Sequence, residues 1–230
     1  SIRIGMEDII RFLEQLRRHN NREWFEANKL WYRDVKARFD GLVARLIDAI
    51  AAFDPSVAGL AVKDCTYRIY RDTRFSPNKE PYKTHFGAYF CPRGKKSGYA
   101  GYYFHVEPQG DGLIGGHLLS AGLYMPEPNV LKSVRDEIFD NGERFAAAVR
   151  GASGFSLNAE NRLKRAPAGF PSDSPYVEYL KLKDVYLEKF VDDRFMLQAD
   201  LVESVAREFR ATMPFIALLN RAVDYAREEM

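Results

Sequence analysis

Cysteine is nearly missing: the 230 residues hold only Cys65 and Cys91, with no CxxC pair. That excludes a disulfide framework, and a buried free thiol in a reducing compartment is the ordinary reading, so a cytoplasmic location is expected. No run approaches the roughly 18 consecutive apolar residues of a membrane span. The opening SIRIGMEDIIRF lacks the apolar region and small-residue cleavage site of a secretory signal. Nor is there a phosphate-cradling P-loop, a GxGxxG turn, an HExxH helix or a zinc finger. GFSLN and LLSAG both fall short of the GxSxG nucleophile elbow. Internal repeats, low-complexity tracts and long linkers are missing too, so the chain reads as one domain over residues 1–230.

What is present is a local excess of positive charge. Between Thr66 and Lys96 lie Arg68, Arg71, Arg74, Lys79, Lys83, Arg93, Lys95 and Lys96, opposed only by Asp72 and Glu80. The stretch is therefore formally +6 in a chain of +2, which leaves −4 on everything else. A basic block on a mildly acidic protein marks a site for something negative.

Hydrophobic spacing supplies the elements around that block. Ile9, Ile10, Leu13 and Leu16 predict a helix over Met6–Arg18. Asn20 or Asn21 can cap a second helix, from about Arg22 to Ala52, whose stripe runs Trp24, Trp31, Val35, Phe39, Leu42, Leu46 and Ile50. Asp54-Pro55 ends it, because the residue before proline is pushed out of the helical region. Cys65–Arg71 alternates like a strand, and Phe75–Pro81 is turn chemistry fixed by two prolines.

His85–Cys91 and Tyr99–Glu107 form an aromatic-rich hairpin, joined by the connection PRGKKSG. A further strand is expected at Leu113–Leu119, with Gly115-Gly116 marking a bulge or close approach. Helix follows over Asn129–Phe139, is broken at Asn141-Gly142 and resumes to Val149. One helical turn at Tyr176–Leu180 and a strand over Lys181–Phe190 come next. The last helix spans Gln198–Arg227, with Pro214 expected to kink or divide it. Clustered strands between helices imply an α+β fold: one antiparallel sheet with a central hairpin, covered by helices, the first and last of them long.

The string RIYRDTRFSPNKEPYKTHFGA, from Arg68 to Ala88, resembles the signature of a bacterial family of unknown function, catalogued as domain of unknown function 2461. NNREWFEANK, YMPEP, LKRAPAGFPSDSP and YLKLK are similar to that family as well and occur in the same order along nearly the full chain. Ala168 departs from the pattern, standing where a basic residue is expected. The resemblance implies a single domain and brings no activity with it.

Three chemistries remain open. In the first, Arg68, Arg71, Arg74, Lys79, Tyr82, Lys83 and His85 form a cleft for a phosphate- or carboxylate-bearing small molecule, which an arginine fork grips through paired charge-assisted bonds. Strand alternation would put Arg71 on the face opposite Arg68, which argues against full convergence. The bland counterpart is a set of ion pairs such as Arg71 with Asp72 and Lys79 with Glu80. In the second, Tyr67, Tyr70, Phe75, Tyr82 and Tyr89 offer stacking surfaces to a nucleic acid, although hairpin aromatics also belong to a core. The third is a metal-dependent hydrolase site using His85, His105 and His117, with Glu107 on the same side of its strand as His105. An amphipathic last helix suits a homodimer or one domain equally well, so oligomeric state stays open.

Overall fold

The computed structural model describes residues 1–228. Helix α1 (Ile2–Arg18) is capped by the Ser1 side chain and buries Ile9, Phe12, Leu13 and Leu16. The expected helix over residues 22–52 is two helices, α2 (Arg22–Ala27) and α3 (Lys29–Ala51). They part at Asn28, whose backbone (φ −111, ψ 17) is not helical and whose side-chain amide donates to the Trp24 carbonyl. That bond is the local competition with helix hydrogen bonding that asparagine favours. Short 3₁₀ turns at Pro55–Val57 and Val62–Asp64 follow.

Strands β1 (Phe86–Phe90) and β2 (Gly101–Val106) make the expected hairpin, paired Phe86 to Val106 and Phe90 to Tyr102. β3 (His117–Leu123) is the buried middle strand of the sheet. Its start moves from Leu113 to His117, because residues 107–116 form a loop folded back on the Glu107 side chain. Helix α4 (Pro128–Gly151) carries its expected break at Asn141 (φ −134, ψ 41). β4 (Ser156–Leu157), α5 (Val177–Leu180), β5 (Val185–Val191), α6 (Asp193–Met196) and α7 (Leu201–Glu228) complete the chain. The five strands run antiparallel in the order β1-β2-β3-β5-β4, so the fold is α+β.

Two further expectations are corrected. Cys65–Arg71 is not a strand: it meets its neighbours only at isolated bridges, Thr66 to Ala88 and Tyr70 to Tyr82. The flanking bonds run from Arg71 N–H to the Pro81 carbonyl and from Lys83 N–H to the Ile69 carbonyl. Pro81 has no N–H with which to extend that ladder. Of the two outcomes expected at Pro214, a kink or a division of the last helix, division does not occur, for α7 continues through it from Leu201 to Glu228. Phe209 on one side of Pro214 and Phe215, Ile216 and Leu219 on the other are all buried, which outweighs the roughly 3 kcal/mol that an interior proline costs.

Strand alternation sorts the two faces of the sheet. Phe86, Ala88, Phe90, Tyr102, Phe104 and Val106 face α3 and α7, where Phe39 stacks on Phe86 and Phe104 and Tyr102 packs on Phe209. The buried cluster draws residues from α1 through α7. On the other face lie Tyr89, Tyr103, His105 and Ser120, a polar set with partners of its own. Gly122 sits where β3 crosses β5 with φ +145, and a Cβ there would strike the Val185 carbonyl. Gly122→Ala should therefore destabilise the protein by about 2 kcal/mol or more, read from the midpoint of denaturant unfolding.

Candidate functional site

The basic segment is held to the body of the protein at Tyr82. Asn20, in the bend between α1 and α2, donates its amide to the Tyr82 carbonyl (2.9 Å) and accepts from the Tyr82 N–H (3.1 Å). Below that clamp the Tyr82 ring, 3% exposed, stacks on Phe25 at 4.1 Å between centroids. The irregular backbone of residues 66–82 is thereby set against α2 across a cleft of about 520 Å³. Arg22 and Glu26 line the cleft from α2, and Arg68, Tyr70, Arg71, Thr73, Lys79, Pro81 and Tyr82 line it from the basic segment. Four cations thus face one carboxylate.

Of the anion-site residues expected from sequence, Arg68, Arg71, Lys79 and Tyr82 come together here, while Arg74, Lys83 and His85 lie outside the lining. Arg74 is paired with Asp72, donating to both carboxylate oxygens at 3.0 and 2.8 Å. That grip holds the Asp72 carboxyl down at about 2. Lys83 donates to the Arg68 carbonyl (2.7 Å), and its ammonium lies near the Tyr67 ring. Burial and the Arg68 charge both lower its pKa. His85 turns away to the sheet.

Arg68 and Arg71 share one cleft because their segment is irregular rather than extended, which removes the opposition that strand alternation would impose. Their situations still differ. Arg71 stitches its own loop, donating to the carbonyls of Asn78 (3.1 Å) and Glu80 (2.7 Å) and to the Ser76 hydroxyl (3.3 Å). Lys79 likewise donates to the Thr73 carbonyl (2.7 Å). The ion pairs of the alternative reading, Arg71 with Asp72 and Lys79 with Glu80, are not formed. Among the described residues, neither the Arg22 nor the Arg68 guanidinium makes a hydrogen bond or ion pair. Sequence reasoning missed Arg22 and Glu26, which belong to a different element and carry no signal linking them to the basic segment.

The aromatic row divides. Tyr82 is buried, and Tyr89 is half-buried with its hydroxyl donating toward the Tyr99 and Gly122 carbonyls. Tyr67, Tyr70 and Phe75 remain exposed, Phe75 at 92%.

The three sheet histidines divide as well. His105 projects from the polar face, where its Nδ1 meets the Tyr103 hydroxyl and its Nε2 meets Glu107 Oε1, both at 2.7 Å. The Glu107 carboxylate also accepts from the backbone N–H groups of Ile114 and Gly115 at 3.0 Å. Gly112 passes so close that a Cβ there would collide with this carboxylate. Burial opposes the charge on Glu107, but the His105 bond and the two amides outweigh it and hold its pKa below the ordinary value. The His85 ring lies against His105, 4.7 Å between centroids. Burial and the neighbouring His105 depress the His85 pKa to about 3. Leu118 pairs with His105 in the β2–β3 register, so His117, one residue earlier, points to the helix face instead, bound to Asp193 (2.7 Å) and to the Glu107 N–H (3.0 Å). The donor set within reach of one ion is therefore His85, His105 and Glu107, all within 4.8 Å of one another.

Comparison with known proteins agrees with the resemblance seen in the motifs. A family model described as conserved hypothetical protein (DUF2461) matches residues 8–217, and the chain belongs to that family. No curated protein and no solved structure matches it. No helix among the described residues is long and apolar enough to cross a membrane.

The hydrogen-bonding contrast gives a stability test. Arg71→Ala removes three loop bonds and should lower stability by about 1–3 kcal/mol. Arg68→Ala, with no such bonds, should stay within about 0.5 kcal/mol of the parent in the same unfolding measurement.

Proposed function

We propose that the protein binds a small anion, phosphate- or carboxylate-bearing, in the cleft between α2 and the basic segment. The observation that carries this reading is the convergence of Arg22, Arg68, Arg71 and Lys79 on one hollow that contains a single opposing carboxylate, Glu26. Arg71 and Lys79 brace the wall through their backbone contacts, and Arg22 and Arg68 keep planar forks available for the ligand. Tyr70, which stays exposed, adds an aromatic side for the body of such a molecule. A small ligand is favoured over a stacked nucleic-acid strand, because Tyr82 and Tyr89 are already engaged within the protein. The same reading treats the chain as one domain, since one buried cluster links its first helix to its last.

A thermal-shift screen of inorganic phosphate, phosphorylated metabolites and di- and tricarboxylates, at low ionic strength, should find compounds that raise the melting temperature. Titration of a hit should show Arg68→Ala and Arg22→Ala each weakening binding tenfold or more, as loss of a charge-assisted bond of about 1.5–3 kcal/mol requires. Arg74→Ala, outside the cleft, should bind like the parent. If no anion shifts the melting temperature, or if both cleft variants bind unchanged, the cleft is not an anion site.

A further inference from the structure

We propose that His85, His105 and Glu107 bind one divalent transition-metal ion on the polar face of the sheet, a site that does not depend on the basic cleft. Three observations converge there. The first is the donor set, two imidazoles and a carboxylate within 4.8 Å of one another. Nitrogen and oxygen donors in that ratio suit zinc or ferrous ion and leave positions open for water or a further ligand. Magnesium and calcium instead favour all-oxygen sites.

The second is orientation. His105 Nδ1 is engaged by the Tyr103 hydroxyl, which leaves Nε2 directed at Glu107. The carboxylate is fixed in turn by the amides of Ile114 and Gly115, in a loop that Gly112 allows to close over it. Arg17 anchors the same loop to α1 through the Pro108 and Gln109 carbonyls. Partners of this kind on the far side of a histidine are what holds a metal ligand in place. The third is His85 itself: a half-buried imidazole stacked on His105 whose ring nitrogens make no hydrogen bond among the described residues.

Loading the site needs a small rearrangement. Ligand bonds of about 2.0–2.2 Å at a tetrahedral ion put neighbouring donor atoms about 3.3–3.6 Å apart. The 2.7 Å contact between His105 and Glu107 must therefore open slightly as the ion replaces the proton between them. For Nε2 to bind the ion, the ring must carry its proton on Nδ1, where the Tyr103 hydroxyl accepts it.

The test uses the full chain purified without a histidine tag and dialysed against zinc, or anaerobically against ferrous ion, with magnesium and calcium as controls. Elemental analysis should find one zinc or iron per chain and neither control ion. His85→Phe keeps the stacked ring and removes the donor, and it should weaken binding at least a hundredfold. Asp193→Asn, whose carboxylate bonds to His117 and to none of the three ligands, should bind like the parent. A readout without any substitution comes from imidazole nitrogen NMR of the parent protein. Zinc should shift the His85 and His105 signals and spare His19 and His117. Substoichiometric uptake, zinc bound equally by His85→Phe, or shifts confined to His19 or His117 would overturn the assignment.

Discussion

The Asn20 carboxamide holds both backbone groups of Tyr82, and the position of the basic segment follows from that pair of bonds. Residues 66–82 have little ladder of their own, only two isolated bridges. An irregular segment of this kind must satisfy its buried polar groups through side chains or turns. Here a side chain from the α1–α2 bend does so, while Phe25 takes up the Tyr82 ring beneath. One contact region thus joins two parts of the chain that are distant in sequence and places Arg22 opposite Arg68. Arg71 and Lys79 then stiffen the far wall through carbonyls of their own loop. A cation that donates to neutral carbonyls keeps its charge, so the wall stays positive.

The sheet obeys a second constraint, the strict alternation of side chains across its faces. On β2 it sends Tyr102, Phe104 and Val106 to the helices and Tyr103 and His105 to the other side. The same register pairs Leu118 with His105, which commits His117 to the helix face. Two histidines that look equivalent in a list of strand residues therefore belong to different environments. One meets a carboxylate enclosed by backbone amides, and the other an aspartate at the start of α6.

Much of this architecture was legible beforehand. The hairpin, the helix break at Asn141 and the end of the α3 region near Pro55 all follow from local chemistry that acts within a few residues. The errors fell where a distant group intervened. Cys65–Arg71 has the alternation of a strand, but pairing depends on what Pro81 can offer across the gap. Pro214 is expected to kink or divide its helix, and burial on both sides of it keeps α7 in one piece. For the cleft, the sequence shows the excess positive charge and four of the nine lining residues, Arg68, Arg71, Lys79 and Tyr82. It does not show Arg22 and Glu26, because nothing within α2 indicates what packs across from it.

The sheet's margins carry one more consequence. The Cys65 carbonyl accepts from the Tyr89 N–H, and Thr66 bridges to Ala88, so the outer side of β1 is already occupied. At the opposite margin β4 contributes only two residues. Long bare strands invite pairing with other chains, and short or covered ones discourage it. Association with a peptide or another copy by adding a strand is thereby disfavoured at both borders, which directs any such encounter to helix surfaces and loops.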